Sequence, residues 1–316
     1  MTSSPRYRAT SPGGIGNVGP GLDVLGCAIA GPRDEVIAEW SGLLGVTVLD
    51  AGHPDLPTAP DRHTSAIAAS AVLKLAGELG VAMAAPGIAL TVRKGLPLSG
   101  GQGGSAASAV AGAVATSALL GMAINTAQML QCCLVAETKV AGKHLDNLAP
   151  ALLGGIVLVR SIDPVDLVQL PVPTGLRLVI VHPAQRLSTS MSRRALPTSV
   201  LLPAVTHQLA QVAAIVAACF TDDIGLFGRA LDDRIAEPAR VHLLPGFAEA
   251  KRAAMGAGAL GASISGSGPT SFAIADSVER AELIAAAMRA SYAQSGIEAT
   301  AMVTTIDDQG TLVTLL

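Results

Sequence analysis

The chain has 316 residues, enough for two domains of ordinary size, and half of its residues are hydrophobic. A formal net charge of −3 argues against a nucleic-acid partner, which needs a basic face, and no run of Lys or Arg indicates an anionic membrane surface. The four cysteines lack the spacing of a metal or redox motif, and the first residues lack the apolar segment of a signal peptide, so we expect a cytoplasmic protein.

Strand and helix patterns alternate without the regular βαβ repeat of a doubly wound sheet, so the predicted class is α+β. In the first half we expect strands at 6–11, 22–29, 35–40, 46–49, 88–92 and 155–160, helices at 64–80, 105–120 and 126–140, and a loop at 11–21. In the second half we expect strands at 176–181, 262–265, 271–274 and 300–306, and helices at 200–219, 224–232, 246–256 and 278–294. A segment with three prolines, 163–174, is the predicted connection, which gives domains at 1–165 and 166–316.

One long stretch, residues 95–136, has no charged residue. It begins with a Gly-rich turn and is interrupted by Ser, Thr, Asn and Gln, and its many Ala and Gly residues contribute little to membrane insertion. We therefore expect no transmembrane helix there and no membrane partner.

The start of this stretch, residues 97–108, is a Gly- and Ser-rich turn before an Ala-rich helical segment. Such a turn exposes backbone N–H groups that have no intrahelical partner, and the helix dipole adds positive potential, so the turn attracts phosphate. Ser105 is the predicted N-cap or phosphate donor. The alternative is a flexible turn before a buried helix.

Two matches to the dinucleotide pattern G-x-G-x-x-G occur at 14–19 and 256–261. Neither has a strand before it and a helix after it, and a Walker-type phosphate loop is absent from the sequence. A Rossmann site is therefore not expected.

Two further turns could bring polar groups to a site. Segment 17–23 holds Asn17 and Asp23 between Gly and Pro residues, although both residue types are also common as plain turn formers. Segment 266–270, GSGPT, lies between two predicted strands and could bring its backbone close to a ligand, or could be an ordinary hairpin.

A third polar stretch begins at Glu137, the first charge after the Ala-rich helix. Its carboxylate could help Ser105 to hold Mg²⁺, an ion that binds few protein ligands and keeps water and phosphate oxygens. His144, Asp146 and Asn147 follow closely, although a single His more often has a structural role.

In this order, the motifs resemble the GHMP small-molecule kinases, and among them the enzymes that phosphorylate homoserine. The resemblance runs from about residue 9 to the C-terminus and includes segments 189–197 and 235–247. The phosphate loop departs from the family pattern, with Gln102 in place of Leu, Gly104 in place of the first Ser of a Ser–Ser pair, and Ser99 in place of a frequent Gly. His63 and Thr64 stand where the family often has an adenine-contacting Asn.

The resemblance implies the GHMP kinase fold, with an N-terminal ATP-binding domain like domain 2 of ribosomal protein S5 and a C-terminal ferredoxin-like domain. It implies an enzyme of threonine biosynthesis that transfers the γ-phosphoryl group of ATP to the side-chain hydroxyl of L-homoserine, uses Mg²⁺ and forms a homodimer. The phosphates would be held by Pro97, Leu98, Ser99, Gly100, Gly101, Gln102, Gly103, Gly104, Ser105 and Ala106.

The resemblance also assigns the rest of the site. Ser105 and Glu137 would hold Mg²⁺ and, with Asn17, act as catalytic residues. The residues that would bind the amino-acid substrate are Asn17, Asp23, His144, Asp146, Thr189, Arg193, Arg240 and Gly266.

Homoserine is a zwitterion with a hydroxyl group, so its charges restrict the pocket. Its ammonium group needs an acceptor, for which Asp23 is the candidate, and its carboxylate needs a cation, ideally a bidentate guanidinium. Arg193 and Arg240 are the candidates, with Arg234 a weaker third, although a surface ion pair is the commoner role of an Arg. Asn17 would hold the hydroxyl end. No residue stands out as a general base, so we expect positioning and charge stabilisation to carry the reaction.

Two other functions fit the same motifs. One is another GHMP kinase that acts on mevalonate, a sugar or a related alcohol, and the other is a non-catalytic small-molecule binder on the same fold. The two Arg residues and Asp23 distinguish them, because an amino acid needs both of its charges matched whereas a sugar needs neither.

Overall fold

A computed structural model describes residues 5–316 of the chain. The expectation of no signal peptide rests partly on the first four residues, which lie outside the described part. The strands are β1 (Arg6–Gly16), β2 (Leu25–Ser41), β3 (Gly45–Asp50), β4 (Gly87–Arg93), β5 (Ile156–Ile162), β6 (Val165–Leu170), β7 (Arg177–Pro183), β8 (Gly261–Ile264), β9 (Ser271–Ala275), β10 (Ala299–Thr304) and β11 (Leu312–Leu315). The helices are α1 (Thr64–Glu78), α2 (Gly104–Leu119), α3 (Thr126–Val140), α4 (Leu148–Leu153), α5 (Thr189–Arg194), α6 (Leu202–Thr221), α7 (Ile224–Arg229), α8 (Ala236–Arg240), α9 (Phe247–Gly256) and α10 (Val278–Gln294).

The strands form two sheets. The seven-stranded sheet has the order β11-β1-β2-β4-β3, and β5 joins it through β2 and carries β6. Its only parallel pair among the described residues is β3 with β4. The four-stranded sheet, β10-β7-β9-β8, is antiparallel throughout. Segregated sheets with helices packed on them confirm the α+β class.

The Ala-rich helix α2 lies at the centre of the first core, between the seven-stranded sheet and helices α1 and α3. Its small side chains permit this close packing. A Cβ atom at Gly112 would lie 2.6 Å from the main-chain oxygen of Ser65 on α1. The part of the uncharged stretch that forms α2 is therefore a buried helix, as predicted, and its N-terminus is held in place by packing on several sides.

Several predicted element boundaries are wrong. Residues 11–16 continue β1 instead of forming a loop, and β2 is one strand instead of two. Pro32 in β2 broke the sequence pattern, but it lies at an exposed position near an irregularity of the β1–β2 ladder, where a missing N–H is tolerated. The predicted connection 163–174 contains β6, and β11, α4, α5 and α8 were not predicted.

The predicted domain boundary between residues 165 and 166 falls at the first residue of β6, which pairs with β5. The chain also returns to the seven-stranded sheet at its end, because β11 pairs with β1. The seven-stranded sheet therefore contains strands from both ends of the predicted second unit, and the boundary stays a prediction.

Helix α6 is the one helix within residues 5–316 that is long and apolar enough, by length and composition alone, to cross a membrane. Its side chains at Ile215, Ala218 and Cys219 are buried in the core beneath the four-stranded sheet. Gln208, also buried, donates to the main-chain oxygen of Pro20 and to Asp233 Oδ1, both at 2.8 Å. These polar and apolar contacts are those of a helix in a folded domain.

Glycines on the first two strands let the segment 144–147 lie directly against the sheet. A Cβ atom at Gly26 would lie 1.6 Å from the main-chain oxygen of Asp146, and one at Gly16 would lie 2.6 Å from Asn147 Nδ2. No side chain fits at either position without moving this segment, which carries His144 and Asp146.

We expect Gly26→Ala to destabilise the protein by at least about 2 kcal/mol, because the added methyl group meets backbone that has no room to move. Gly77→Ala is the matched control: Gly77 is exposed within α1 with open space around it, so this change should raise stability by up to about 1 kcal/mol. Chemical unfolding of both variants measures the difference. Equal stability of the two variants would contradict the proposed close approach.

Candidate active site

A cavity of about 480 Å³ opens where loops from both sheets meet. All ten residues predicted to bind substrate or metal line it: Asn17, Asp23, Ser105, Glu137, His144, Asp146, Thr189, Arg193, Arg240 and Gly266. Eight of the ten predicted phosphate-loop residues also line it, whereas Gln102 and Ala106 do not.

The phosphate loop joins β4 to α2 and turns through left-handed backbone conformations at Ser99, Gly101 and Gly103, with φ of 52°, 75° and 64°. Gly103 is the N-cap of α2, so the prediction of Ser105 as N-cap is wrong. The helix begins earlier because glycine adopts the left-handed cap conformation without strain. Ser105 lies in the first turn instead, and its hydroxyl remains available to the cavity.

The first turn of α2 supplies the donors for an anion. Ala107 N–H makes the first intrahelical hydrogen bond, to Gly103 O at 2.9 Å. The N–H groups of Gly104, Ser105 and Ala106 precede it and have no acceptor within the helix. Because the Ala106 side chain is fully buried, this residue can contribute to the site only through its backbone N–H.

A buried ion pair, which the sequence analysis missed, supports this loop. Asp34 on β2 is paired with Lys94, the residue just before the loop, and both side chains are almost completely buried. Lys94 Nζ also donates to Gly104 O at 3.1 Å and to Ser108 Oγ at 2.9 Å. Lys94 thus connects β2 with the first turns of α2. In the sequence, only the position of Lys94 before a Gly-rich turn could have indicated this ion pair, because Asp34 is distant along the chain.

The Asp34 carboxylate has no capacity left for proton transfer. Its Oδ1 accepts from the N–H groups of Gly95 and Leu96, both at 3.1 Å, and its Oδ2 accepts from Lys94 and from Ser108 Oγ. These four donors occupy the acceptor positions of the two carboxylate oxygens. This Asp–Lys pair is therefore structural and does not supply a general base.

Ser105 and Glu137 form the candidate metal position. Ser105 Oγ donates to Glu137 Oε2 at 3.3 Å, and both residues face the cavity from α2 and α3. Burial raises the pKa of Glu137 to about 7, although the nearby His144 and the hydrogen bond from Ser105 act in the opposite direction. A buried carboxylate beside a hydroxyl provides the hard oxygen ligands that Mg²⁺ prefers, so these residues fit that ion.

His144 and Asp146 follow α3 and form a second buried pair, with His144 Nδ1 2.9 Å from Asp146 Oδ1. Burial alone would lower the pKa of His144, but the hydrogen bond to Asp146 and the negative charges of Asp146, Glu137 and Asp23 raise it to about 9. The imidazole is therefore protonated near neutral pH. Its Nε2 is buried without a partner, so it offers a donor to a bound ligand.

Asn17 connects the first strand to the turn that precedes β9. Its backbone is left-handed, with φ of 67°, and its N–H donates to Asp146 Oδ2 at 3.0 Å. Asn17 Nδ2 donates to Gly266 O at 3.1 Å, and Oδ1 accepts from Asp23 N–H at 3.2 Å. One hydrogen of the amide remains for a ligand, because Nδ2 carries two.

Asp23 and Arg193 both line the cavity and form a bidentate ion pair, with N–O distances of 2.7 and 2.9 Å. The hydrogen bond to Asp23 raises the pKa of the Arg193 guanidinium. The predicted partners of the substrate's two charges are thus paired with each other, and both are about one-third exposed.

Arg240, at the end of α8, differs from Arg193 in both its burial and its partners. It is only 3% exposed and forms no salt bridge within residues 5–316. Its guanidinium donates to Gly266 O at 3.0 Å and to Ser192 O at 3.3 Å, and burial lowers its pKa. A buried cation beside a cavity that has no carboxylate partner indicates that an anion binds there. Arg234, the weaker candidate, is exposed, lies 3.5 Å from Asp232 and does not line the cavity.

A second metal arrangement is possible by geometry, since ligand atoms of Asp23, His144 and Asp146 lie within 4.8 Å of one another. Asp23 is already held in the ion pair with Arg193, and Asp146 Oδ1 is bonded to His144 Nδ1. A protonated His cannot ligate a metal. These three residues are therefore a poor match for a metal site.

Residues of the loop before α1 also line the cavity and were not assigned from the sequence. Arg62 and His63 lie on this wall, and Arg186 is 3.0 Å from Asp55. His63 occupies the position at which the sequence lacks the family's Asn. Its Nε2 is 3.3 Å from Ala51 O, and its Nδ1 is buried without a partner.

The raised pKa of His144 predicts a pH dependence of folding stability. A raised pKa of a base stabilises the folded state below the unfolded value of 6.5, and this contribution is lost as pH rises through about 9. We expect His144→Gln to reduce the loss of unfolding free energy between pH 6.5 and 9 by about 1–3 kcal/mol. Chemical unfolding at several pH values measures this slope. His207→Gln is the control, because His207 lies on α6 and does not line the cavity, and an unchanged slope in His144→Gln would contradict the assignment.

Comparisons with known proteins agree with this arrangement. The family described as "GHMP kinases N terminal domain" matches residues 66–155, and the family described as "GHMP kinases C terminal" matches residues 215–294. A homoserine kinase from Chlorobium phaeovibrioides is 41% identical over 288 residues, which cover 89% of this chain and 90% of that protein. A homoserine kinase from Arabidopsis thaliana is 39% identical over 311 residues, which cover 95% of this chain and 82% of that protein.

A solved structure extends the similarity to the whole fold. The crystal structure of homoserine kinase from Cytophaga hutchinsonii superposes with a TM-score of 0.91 at 38% identity and covers 99% of both chains. This similarity confirms the predicted two-part kinase fold. The chain belongs to the GHMP kinase family, and its relatives place it among the homoserine kinases of that family.

Proposed function

We propose that the chain transfers the γ-phosphoryl group of ATP to the side-chain hydroxyl of L-homoserine and releases ADP and O-phospho-L-homoserine. The observation that carries the proposal is Arg240, a buried guanidinium on the cavity wall that lacks a carboxylate partner. Mevalonate would also supply a carboxylate, but only an amino acid would in addition use the acidic group at Asp23. The named activity of the relatives supports the same substrate.

The substrate's charges suit the two sides of this pocket. Arg240 and Arg193 would bind the carboxylate, and Asp23 would accept hydrogen bonds from the ammonium group. The pair between Asp23 and Arg193 would then be replaced by contacts to the substrate, one charge for each partner. Asn17 would orient the hydroxyl end with its free amide hydrogen, while His144, Asp146, Thr189 and Gly266 would complete the wall.

The nucleotide's phosphates would lie against the phosphate loop and the first turn of α2, where the free N–H groups offer hydrogen bonds. Ser105 and Glu137 would hold Mg²⁺, which when bound neutralises negative charge on the transferring phosphoryl group. Occupation of this position would also place a divalent cation directly against the buried Glu137 carboxylate, which forms no salt bridge within residues 5–316.

In the reaction, the homoserine oxygen forms a bond to the γ-phosphorus as the bond from that phosphorus to the bridging oxygen of ADP breaks. The hydroxyl proton is released with the products. Among the described residues, the buried Asp34 is saturated and His144 is protonated, so neither accepts this proton. We therefore assign catalysis to the positioning and charge stabilisation provided by Asn17, Ser105 and Glu137.

The cellular location, oligomeric state, domain bounds and partners of the chain are also proposals. We infer a cytoplasmic homodimer with two domains, 1–165 and 166–316, and no nucleic-acid or membrane partner. The net charge of −3 and the buried polar contacts of α6 support the last point.

We expect ATP consumption with L-homoserine to exceed that with L-serine, L-threonine, mevalonate or galactose by at least about 10²-fold in kcat/KM. L-Serine tests the length of the side chain, and mevalonate and galactose test the need for both charges. A coupled assay of ADP release measures all five. Preference for mevalonate or galactose, or binding of ATP without turnover of any alcohol, would overturn the proposal.

Variants of the charge-binding residues test the pocket directly. We expect Arg240→Ala and Asp23→Asn each to lower kcat/KM for homoserine by about 10²-fold or more, mainly through a higher KM for homoserine. Arg240→Lys should recover part of the loss, because it restores the charge without the bidentate geometry. Arg234→Ala is the matched control and should stay within about twofold of the parent protein, because its side chain is exposed. If Arg240→Ala folds normally and keeps full activity, the carboxylate is bound elsewhere.

A further inference from the structure

Gln102 belongs to the phosphate loop, but its side chain does not line the cavity. It is 7% exposed, and its Nε2 donates to Thr270 Oγ1 at 3.3 Å. Its main-chain oxygen accepts from Gly14 N–H at 3.1 Å. Gly14 lies on β1 of the seven-stranded sheet, and Thr270 directly precedes β9 of the four-stranded sheet. Gln102 is therefore hydrogen-bonded to both halves of the molecule.

The Thr270 hydroxyl extends this contact to a third residue, since it also lies 3.0 Å from His182 Nδ1 on β7. The Gln102 amide nitrogen can only donate, so the Thr270 oxygen accepts from it and keeps its own hydrogen for His182. Burial lowers the pKa of His182, and in the tautomer whose proton is on Nε2 the Nδ1 atom accepts this hydrogen. The Thr270 hydroxyl thus lies within hydrogen-bond distance of both Gln102 and His182.

Backbone contacts hold the neighbouring loop residues on the same turn, segment 265–270. Thr270 N–H donates to Gly100 O at 3.2 Å, and Ser265 Oγ donates to Gly101 O at 2.6 Å. A Cβ atom at Gly101 would lie 2.7 Å from Gly268 O, so the two segments are in close contact.

The opposite side of this turn faces the substrate pocket. Gly266 O accepts hydrogen bonds from both Asn17 and Arg240. The turn 265–270 therefore contacts the phosphate loop on one side and Arg240, a predicted carboxylate-binding residue, on the other. Any movement of the loop relative to this turn changes the distance between the two proposed substrates.

We propose that Gln102 is a positioning residue that fixes the phosphate loop on the turn 265–270 through the Thr270 hydroxyl, and so sets the place of the ATP phosphates. The inference rests on the proposed kinase function for its kinetic consequences. The binding of ADP tests it separately, because the loop must hold a nucleotide whichever alcohol is phosphorylated.

We expect Gln102→Leu, which keeps a side chain of similar size but cannot donate, to raise the Kd for ADP and the KM for ATP by about three- to tenfold. The KM for homoserine should change less than about twofold, because the variant leaves the substrate-binding side chains in place. Gln169→Leu is the matched control and should change none of these constants, because Gln169 is exposed on β6 and far from the cavity lining. Calorimetric titration with ADP and initial rates supply the measurements.

Thr270 completes a double-mutant cycle. Thr270→Val removes the hydroxyl, and after this change the further substitution Gln102→Leu should have less than a twofold effect on ADP affinity. Thr270→Ser keeps the hydroxyl and should bind ADP within about twofold of the parent protein. If Gln102→Leu does not fold, this Ser-against-Val comparison decides, since equal ADP affinities of the two Thr270 variants would overturn the proposal. Additive effects in the cycle, or unchanged ADP affinity in a folded Gln102→Leu, would also overturn it. Absence of homoserine turnover in the parent protein would refute only the proposed function.

Discussion

The buried pair of Asp34 and Lys94 is the interaction on which the rest of the site depends. It lies beneath the phosphate loop, where it receives two loop N–H groups on one carboxylate oxygen and reaches the first turns of α2 through Lys94 and Ser108. Removal of one partner from such a buried pair costs about 3–5 kcal/mol, because an uncompensated charge remains. The loop therefore keeps its shape without a bound nucleotide, and its N–H groups need no reorganisation to meet phosphate.

The cavity combines charges that are satisfied with charges that are not. Asp34, Lys94 and Asp146 have full sets of partners, and they hold backbone segments in place. Arg240 and Glu137 are nearly as buried but form no salt bridge within residues 5–316, and burial lowers the pKa of the first and raises that of the second. Such groups reduce the stability of the free protein. Under the proposed function, a carboxylate and a divalent cation would supply the missing charges, and this cost would become binding energy, which is a common exchange of stability for function.

Contacts between the two sheets converge on the short turn 265–270. The turn bonds to the phosphate loop through Ser265 and Thr270, and to the substrate side through the Gly266 carbonyl. Because Gly101 of the phosphate loop carries no side chain, the loop backbone can approach the turn closely. This arrangement explains how a loop from one half of the molecule and an arginine from the other can be held at a fixed separation.

The sequence by itself determined the α+β class, the buried Ala-rich helix, the phosphate turn before it and the set of residues that the cavity brings together. These features are local, or they follow from motifs whose order along the chain is specific. Tertiary structure alone decided the rest. The continuity of β2 through Pro32 depends on an irregular position in its ladder with β1, and β11 is a strand because β1 offers a free edge. The cap at Gly103 depends on a left-handed loop backbone, and the pairing of Asp34 with Lys94 joins residues 60 positions apart. The role of Gln102 depends on Thr270, which lies 168 positions away, so no local pattern could have indicated it. Partners that are distant in sequence leave no periodic signal, and only folding brings their charges and donors together.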